Sequence, residues 1–592
     1  MSFILECTKQ TWAQEIRETS FSREVPSPLI YSRKRDGFLI GDVFLEGRQD
    51  VEAVFASGWE ERPERLLDFK GSFSIVRAAG DKLFFASGMG GIEKLFYYHK
   101  KGVFYLSDNI WNIIDRVSPG FEDVDREALR EMVFYGGLFF GHTFIRNCHV
   151  LLPQTLAVYD IKSDTIKTAE YFNYCYHADP ALSLGGAVER MDRLFDDTMK
   201  EIKRSFKEGT RFAVALSGGL DSRIIPHYAK KNGMRLSGYL FCKKRPHKIF
   251  LSKDVANSRK IARAYGIPCR EVEWSGNALE ERIRLNLKNN PFSPEFMLYQ
   301  DQGIPEFDVL LTGASGYIVG GAFGNPRLGE LIEAELEKEM RRLCPILKAD
   351  PHMSDRVKWA FEYLFHKPAR GGKKKKILPR GLIKREEEER FRKKMREFIR
   401  ERKERGNDNI SIFQDWFQNR LGFWNRMGAY ESHIGTKRSI SIYMPFFVEE
   451  CFNWPGEYII DRIALKELLH QKIREVSMIP PQNYQLPYGE KGFLPLKKIY
   501  WLLDYWLRGN GNAGKIYNFK DRRCRKKCRE DFSRTSEWFD RIFSVQDILP
   551  HIWRSYTLLS ENLWFAKRLL EVLETKDYKE FTDGIYNENQ YD

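Results

Sequence analysis

Apolar residues alternate with small or polar ones along Phe69-Lys70-Gly71-Ser72-Phe73-Ser74-Ile75-Val76-Arg77. That is the period-two spacing of a strand with one buried face. The pattern returns, after short breaks, at 82–87 and 102–107, and 37–45 reads as a hairpin region. The first ~170 residues are therefore expected to form a layered, β-rich domain without a simple repeat. The spacing then changes. A helical pattern from 187 to about 203 leads into Phe212-Ala213-Val214-Ala215, a short apolar run of the kind a fully buried strand shows. Beyond it, strands expected at 236–241, 269–274 and 307–311 alternate with a helix over 252–265 that stops at Gly266, with Pro268 beyond. Such alternation demands a parallel α/β sheet. The stretch 368–405 is dense in charge, opens on Gly371-Gly372 and is interrupted by Pro379. It reads as a mobile loop followed by a charged helix from about Leu382. The remainder is expected to be helical, its Trp, Phe and Tyr building a lobe around the α/β core.

Size and charge narrow the classes. A chain of 592 residues accommodates two to four domains, and 42% hydrophobic content supports a globular protein. No apolar run is long enough to span a bilayer, and Met1-Ser2-Phe3-Ile4-Leu5-Glu6 lacks the regions of a signal peptide. Nine scattered cysteines, an odd number, suit a reducing cytoplasm better than a disulfide framework. The net charge of +14 is concentrated at Lys373-Lys374-Lys375-Lys376 and over 522–529. These runs read as solvated faces, with attraction of an anionic partner as the alternative. Base-reading motifs are absent, so nucleic acid is not the expected partner.

Chemistry concentrates where the run 212–215 ends, at Leu216-Ser217-Gly218-Gly219-Leu220-Asp221-Ser222. A buried strand, a small polar loop and the start of a helix bring backbone N–H groups together on an anion. Gly218 and Gly219 remove the Cβ atoms that would hold phosphate oxygens away, and Ser217 and Ser222 add hydroxyl donors. A bare phosphate would repel Asp221, whose natural partner there is a divalent cation. The lysine and spacing of a Walker A loop are missing. Ligands of parallel sheets lie at the carboxyl ends of strands, where Thr312 and Gly313 stand on another strand.

The SGGLDS loop resembles the pyrophosphate loop of N-type ATP pyrophosphatases, and LSGGLDS resembles the asparagine synthetase family in particular. That resemblance implies cleavage of ATP between the α and β phosphates, with Mg²⁺ at Asp221. It also implies an ATP site of Leu216, Ser217, Gly218, Gly219, Leu220, Asp221, Ser222, Leu240, Thr312 and Gly313. The segment 310–321 is similar to the family's second ATP segment, but Ala314 and Tyr317 stand where it carries acidic residues, leaving one metal carboxylate instead of two. The stretch 438–447 resembles S-V-E-A-R-V-P-F-L-D without its glutamate and arginine. Pro487-Tyr488-Gly489-Glu490-Lys491-Gly492-Phe493 resembles R-P-K-x-G-F with the register shifted by one residue. Lys491 is thereby the candidate catalytic lysine, its charge meeting the adenylate and the oxyanion.

The N-terminal region resembles a class II glutamine amidotransferase domain, an N-terminal-nucleophile fold. Its matches are Gly71-Ser72-Phe73, then Gly91 to Tyr98, then Phe104-Tyr105-Leu106-Ser107. The cysteine that active members expose at position 2 is replaced by Ser2, and only Ile40-Gly41-Asp42 stands for Asn-Gly-Glu, so glutaminase activity is not expected. The lost cysteine is shared with β-lactam synthetase, carbapenam synthetase and lasso-peptide cyclases.

The expected fold class is α/β. An N-terminal-nucleophile-like layered α+β domain (1–175) precedes a parallel-sheet ATP pyrophosphatase domain with a helical C-terminal lobe (183–592), and the charged mobile insertion lies near 368–405. The expected function is an AMP-forming, ATP-dependent ligase joining a carboxylate to ammonia or an amine in the cytoplasm. It would use ATP and Mg²⁺, with a homodimer left open. A nucleotide-binding pseudoenzyme of the same family is the alternative. An RNA-modifying relative of the loop is a third reading, opposed by the amidotransferase-like N-terminal half.

Overall fold

The computed structural model describes residues 4–7, 32–34, 37–45, 48–49, 51–89, 93–135, 138, 140–242, 253–273, 287, 292, 306–313, 316, 385–415, 439–443, 447–451, 453–459, 462–479, 530–532, 536–543 and 558–578. Two antiparallel sheets and one parallel sheet, with helices, make a mixed α/β architecture.

The first sheet has the order β1-β8-β7-β9, with β1 (Ile4–Cys7), β7 (Phe96–Lys100), β8 (Val103–Ser107) and β9 (Cys148–Val150). The second runs β11-β10-β6-β5-β3-β2, with β4 (Arg48–Gln49) paired off β3. Its strands are β2 (Ser32–Lys34), β3 (Gly37–Leu45), β5 (Lys70–Ala79), β6 (Lys82–Ser87), β10 (Thr155–Asp160) and β11 (Thr165–Glu170). The segment expected as a hairpin at 37–45 is one nine-residue strand. Its partners are the short β2 and β4 and residues 70–77 of β5.

The alternation read from the sequence sorts the side chains into layers. Leu5, Phe104 and Leu106 of the first sheet meet Phe38, Ile40, Val76, Leu83, Phe85 and Tyr159 of the second. The Phe104 and Tyr159 rings stack at 4.2 Å between centroids. The other face of the second sheet carries Leu39, Phe73 and Ile75 against Val54, Phe55 and Trp59. The outer face of the first lies under helices α1 (Ile110–Val117) and α2 (Arg126–Tyr135). The result is helix, sheet, sheet and helical cover, with burial on both faces of each sheet.

Helix α3 (Leu184–Arg204) is capped by Ser183, whose Oγ accepts from the Gly186 amide at 3.1 Å. It buries Val188, Met191, Phe195, Met199 and Ile202, a 3.6-period stripe, in the core that also holds Phe212 and Val214. The parallel sheet has the order β14-β13-β12-β15-β16, with β12 (Phe212–Ala215), β13 (Leu236–Cys242), β14 (Cys269–Glu273), β15 (Val309–Thr312) and β16 (Ser439–Ser441). All its pairings are parallel. Phe212 and Val214 face one core, Ala213 the other with Tyr239 and Leu310. That two-sided burial is why 212–215 reads as a continuous apolar run. Helix α4 (Asp221–Lys231) follows β12, and α5 (Lys253–Tyr265) precedes β14. Gly266, at φ +63°, takes the left-handed position that ends α5. The sheet grows from β12 toward β14 on one side and resumes at β15 on the other, so strand order reverses between β12 and β15.

The charged helix expected from about Leu382 is helix α6 (Arg385–Glu404), and it is docked: Phe391, Met395, Phe398, Ile399 and Arg402 form a buried stripe along it. Arg402 donates to Glu170 at the end of β11 (2.7 Å) and pairs with Asp415 (2.7 Å). One expectation is corrected: the whole helical end does not wrap the α/β core. Helix α7 (Ile463–Lys472) packs on α3, but α8 (Leu558–Thr575) returns to α2 over the first sheet. Arg541 stacks on Phe121 there at 3.6 Å, and Arg130 donates to the Ile542 carbonyl at 2.8 Å. Among the described residues, no helix is long and apolar enough to cross a membrane.

Candidate functional site

The reversal in strand order places the ends of β12 and β15 side by side, and the residues singled out from the sequence meet there. Leu216 anchors the loop. Its amide donates to Tyr239 O at 2.8 Å, and its side chain is buried over Gly238, where a Cβ would stand 2.7 Å from Leu216 Cδ1. The Ser217 amide donates to Ser222 Oγ at 2.8 Å, the two hydroxyls lie 3.0 Å apart, and the Gly219 amide donates to Ser217 Oγ at 3.1 Å. Ser222 Oγ also reaches Ala215 O at 3.4 Å. The sequence suggested both hydroxyls as phosphate donors. Here they staple the loop to the strand end, and Ser222 is buried.

Asp221 opens α4. The N-cap, Leu220, gives the helix no side-chain capping bond. The first-turn N–H groups of a helix have no partner within it, and together with the macrodipole they favour an anion. The Asp221 carboxylate bridges to the second strand end. A Cβ built on Gly313 would lie 2.3 Å from Asp221 Cγ, so glycine is the residue that admits this contact.

Asp221 Oδ1 accepts the hydroxyl of Tyr443 at 2.6 Å. Tyr443 follows β16 and is fully buried, its ring between Phe195 and Phe447. Burial, then the negative charge of Asp221, pushes its phenol well above the ordinary value, so the phenol keeps its proton and donates. Gly316 packs on the same ring, with Arg462 Nη2 3.5 Å from the position of its Cβ. Arg462 holds φ +56° just before α7, an uncommon conformation for a residue with a Cβ.

Beneath the loop lies Arg223, 0% exposed. Its Nη2 donates to Gly218 O at 3.1 Å and its Nε to Gly219 O at 3.3 Å. Its Nη1 donates to Val476 O at 2.6 Å and to Ile479 O. Sequence reasoning passed over both Arg223 and Tyr443. The signal for Arg223 was an arginine set among Ile224, Ile225, Pro226 and Tyr228, a helix buried almost all round.

The structure thus brings Leu216, Ser217, Gly218, Gly219, Leu220, Asp221, Ser222, Thr312 and Gly313 together at the adjoining ends of β12 and β15. Leu240 stands apart, on β13 with its side chain in the core, and leaves only backbone to a ligand. Lys491, Ala314, Tyr317, Ser2 and the basic runs at 373–376 and 522–529 lie outside the described residues. Among the described residues, Asp221 is the single acidic metal-ligand candidate brought to the adjoining strand ends, and no group of three or more His, Cys, Asp or Glu suited to a metal occurs. One carboxylate with phosphate oxygens and water still fits Mg²⁺, which needs few protein ligands.

A second cluster sits at the end of the sandwich. Register aligns Ile4, Ser107 and Phe96, so the start of β1, the end of β8 and the start of β7 lie at one edge. Lys94 is there, its amine lowered to about 7 by burial while Glu93 and Asp108 pull it back up. Gly41, at φ +99°, is pressed against Ser72 and Glu93.

No family model matches the chain, and no curated protein does. Among solved structures, it is similar to a glutamine phosphoribosylpyrophosphate amidotransferase from B. subtilis complexed with ADP and GMP at 11% identity, over 39% of this chain and 51% of that one, with a TM-score of 0.15. It is also similar to a structure described as the allosteric regulatory enzyme of purine biosynthesis at 12% identity, over 43% of this chain and 58% of that one, also at 0.15. The chain spans little more than half of either neighbour, and likeness at that score bears on neither fold nor activity.

Proposed function

We propose that the chain is an ATP-dependent amide-forming ligase of the asparagine synthetase kind, its layered N-terminal domain a class II amidotransferase fold without glutaminase chemistry. The observation that carries the reading is the loop 217–222 at the reversal in strand order, leading into a helix start without a side-chain cap and facing Asp221. In this reading a substrate carboxylate attacks the α-phosphate of ATP. The diphosphate leaves onto the first turn of α4 and the loop amides other than those of Ser217 and Gly219, which the serine hydroxyls engage. Mg²⁺ held by Asp221 would neutralise charge on that leaving group. Tyr443 orients the carboxylate, and Gly313 keeps the backbone of the second strand end close to it. Lys491 would meet the negative charge of the adenylate as ammonia or an amine attacks the carbonyl and AMP departs. Ser2 in place of cysteine favours an amine source other than glutamine.

The bond between Tyr443 and Asp221 favours a second reading, a nucleotide-binding relative without turnover, because it engages one oxygen of the one carboxylate that the described residues bring to the loop. One experiment separates the two. Purified protein is incubated with ATP, Mg²⁺ and a panel of carboxylates and amines, and AMP and pyrophosphate are measured. The ligase releases both in equal amounts, and Asp221→Asn abolishes release. ATP binding without release supports the second reading, and absence of ATP binding overturns both.

A further inference from the structure

We propose that Arg223 is the positioning residue of the diphosphate cup, fixing two peptide planes of the loop and tying them to the segment 474–479. The inference rests on the anion-binding reading of 217–222.

A guanidinium is planar, permanently charged and presents donors in fixed directions. Arg223 divides those directions. Two nitrogens reach Gly218 O and Gly219 O, and the third reaches Val476 O and Ile479 O. In a trans peptide the carbonyl and the following N–H point opposite ways. Drawing the carbonyls of 218 and 219 toward Arg223 therefore turns the N–H groups of Gly219 and Leu220 to the far side of the loop. The Gly219 N–H holds the Ser217 hydroxyl there. Both peptide dipoles then lie with negative ends on the guanidinium and positive ends toward the cup. The Gly219 donor is spent on that hydroxyl, so the Leu220 N–H and the aligned dipoles are what the clamp offers a ligand. Groups fixed before a ligand arrives cost no reorganisation when it binds.

The same side chain couples two distant parts of the chain. Val476 lies 253 residues from Arg223, in the short helix Arg474–Ser477 that follows α7. From Ile479 the chain continues to Lys491. An ion bound on the loop would accordingly be felt at 474–479, although that segment supplies no group to the cup in this account. Lysine cannot replace this geometry, because three donors on one nitrogen cannot reach two pairs of carbonyls on separate segments.

The test titrates inorganic pyrophosphate with Mg²⁺ into the full-length protein and into Arg223→Lys, well below the melting temperature. Amide exchange is followed in peptides covering 217–222 and 473–479. Arg223→Lys is expected to bind at least about tenfold more weakly and to exchange faster over 217–222. Pyrophosphate is expected to slow exchange over 473–479 in the unmodified protein. An arginine with only a structural role would lower the melting temperature and leave the affinity alone, and affinity within about twofold of the unmodified protein overturns the proposal. If the variant does not fold, the unmodified protein decides: no slowing over 473–479 overturns it. If the unmodified protein binds no pyrophosphate, the cup itself falls. The clamp is then judged by exchange over 217–222, and an unchanged rate in Arg223→Lys rejects it.

Discussion

Two buried arginines hold this protein together in opposite ways. Arg402 bridges the carboxylates of Glu170 and Asp415 and joins the edge of the second sheet to α6 and the helix after it. Arg223 grips carbonyl oxygens on two segments. A carboxylate cancels the charge it meets, and a carbonyl dipole is only turned by it. The first arrangement is a joint and the second a template. The difference teaches that a buried cation is read from what it touches, since the side chain and its burial are the same in both places.

The comparison can be broken by removing the joint. Arg402→Met leaves Asp415 without its cation while Glu170 keeps Arg405 at 3.0 Å, and loss of one partner of a buried ion pair costs about 3–5 kcal/mol. Denaturant unfolding should show that loss, with pyrophosphate affinity unchanged wherever the protein remains folded. Gly313→Ala tests the template's far wall. Its Cβ would sit 2.3 Å from Asp221 Cγ, so the carboxylate or the strand end must shift. Overpacking of this kind costs about 1–3 kcal/mol. A loss of ATP turnover larger than the loss of stability accounts for would place the damage at Asp221.

Lys94 sharpens the comparison with a cation whose charge is disfavoured by desolvation. Its pKa falls from 10.5 to about 7 on folding. Between those values the unfolded chain binds more protons than the folded one, so this group makes stability rise with pH across the window. The deficit is complete below about 7 and gone above the unfolded value. Lys94→Met should flatten that contribution, at most about 1.4 kcal/mol per pH unit, in unfolding curves measured from pH 7 to 10.

The loop after β12 was legible because it is local. Strand, glycines, serines and Asp221 lie within a few residues, and the pattern 212–222 carries the strand end, the turn and the helix start. Strands 82–87 and 236–242 were equally plain, since alternation and apolar runs report burial directly. Arg223 was hidden because two of its partners lie about 250 residues away and are backbone atoms, which leave no mark on composition. Tyr443 was passed over within 438–447, a stretch read only for the glutamate and arginine it lacks. Its meaning depends on Asp221, which is brought to it by the order of strands. The docking of α8 was invisible for a related reason. Periodicity gives a helix its apolar face but does not name the surface that face will cover.

That docking has a consequence for biosynthesis. The outer layer of the first sheet combines residues 96–150 with residues 532–578, and the Arg130 to Ile542 bond spans 412 positions. Domains emerging from the ribosome normally close in order, amino end first. Here the helices over the first sheet keep an apolar face uncovered until residues 532–578 have been translated. During that interval the nascent protein presents an apolar surface that chaperones can hold, and a stop codon placed before α8 would leave it permanently bare.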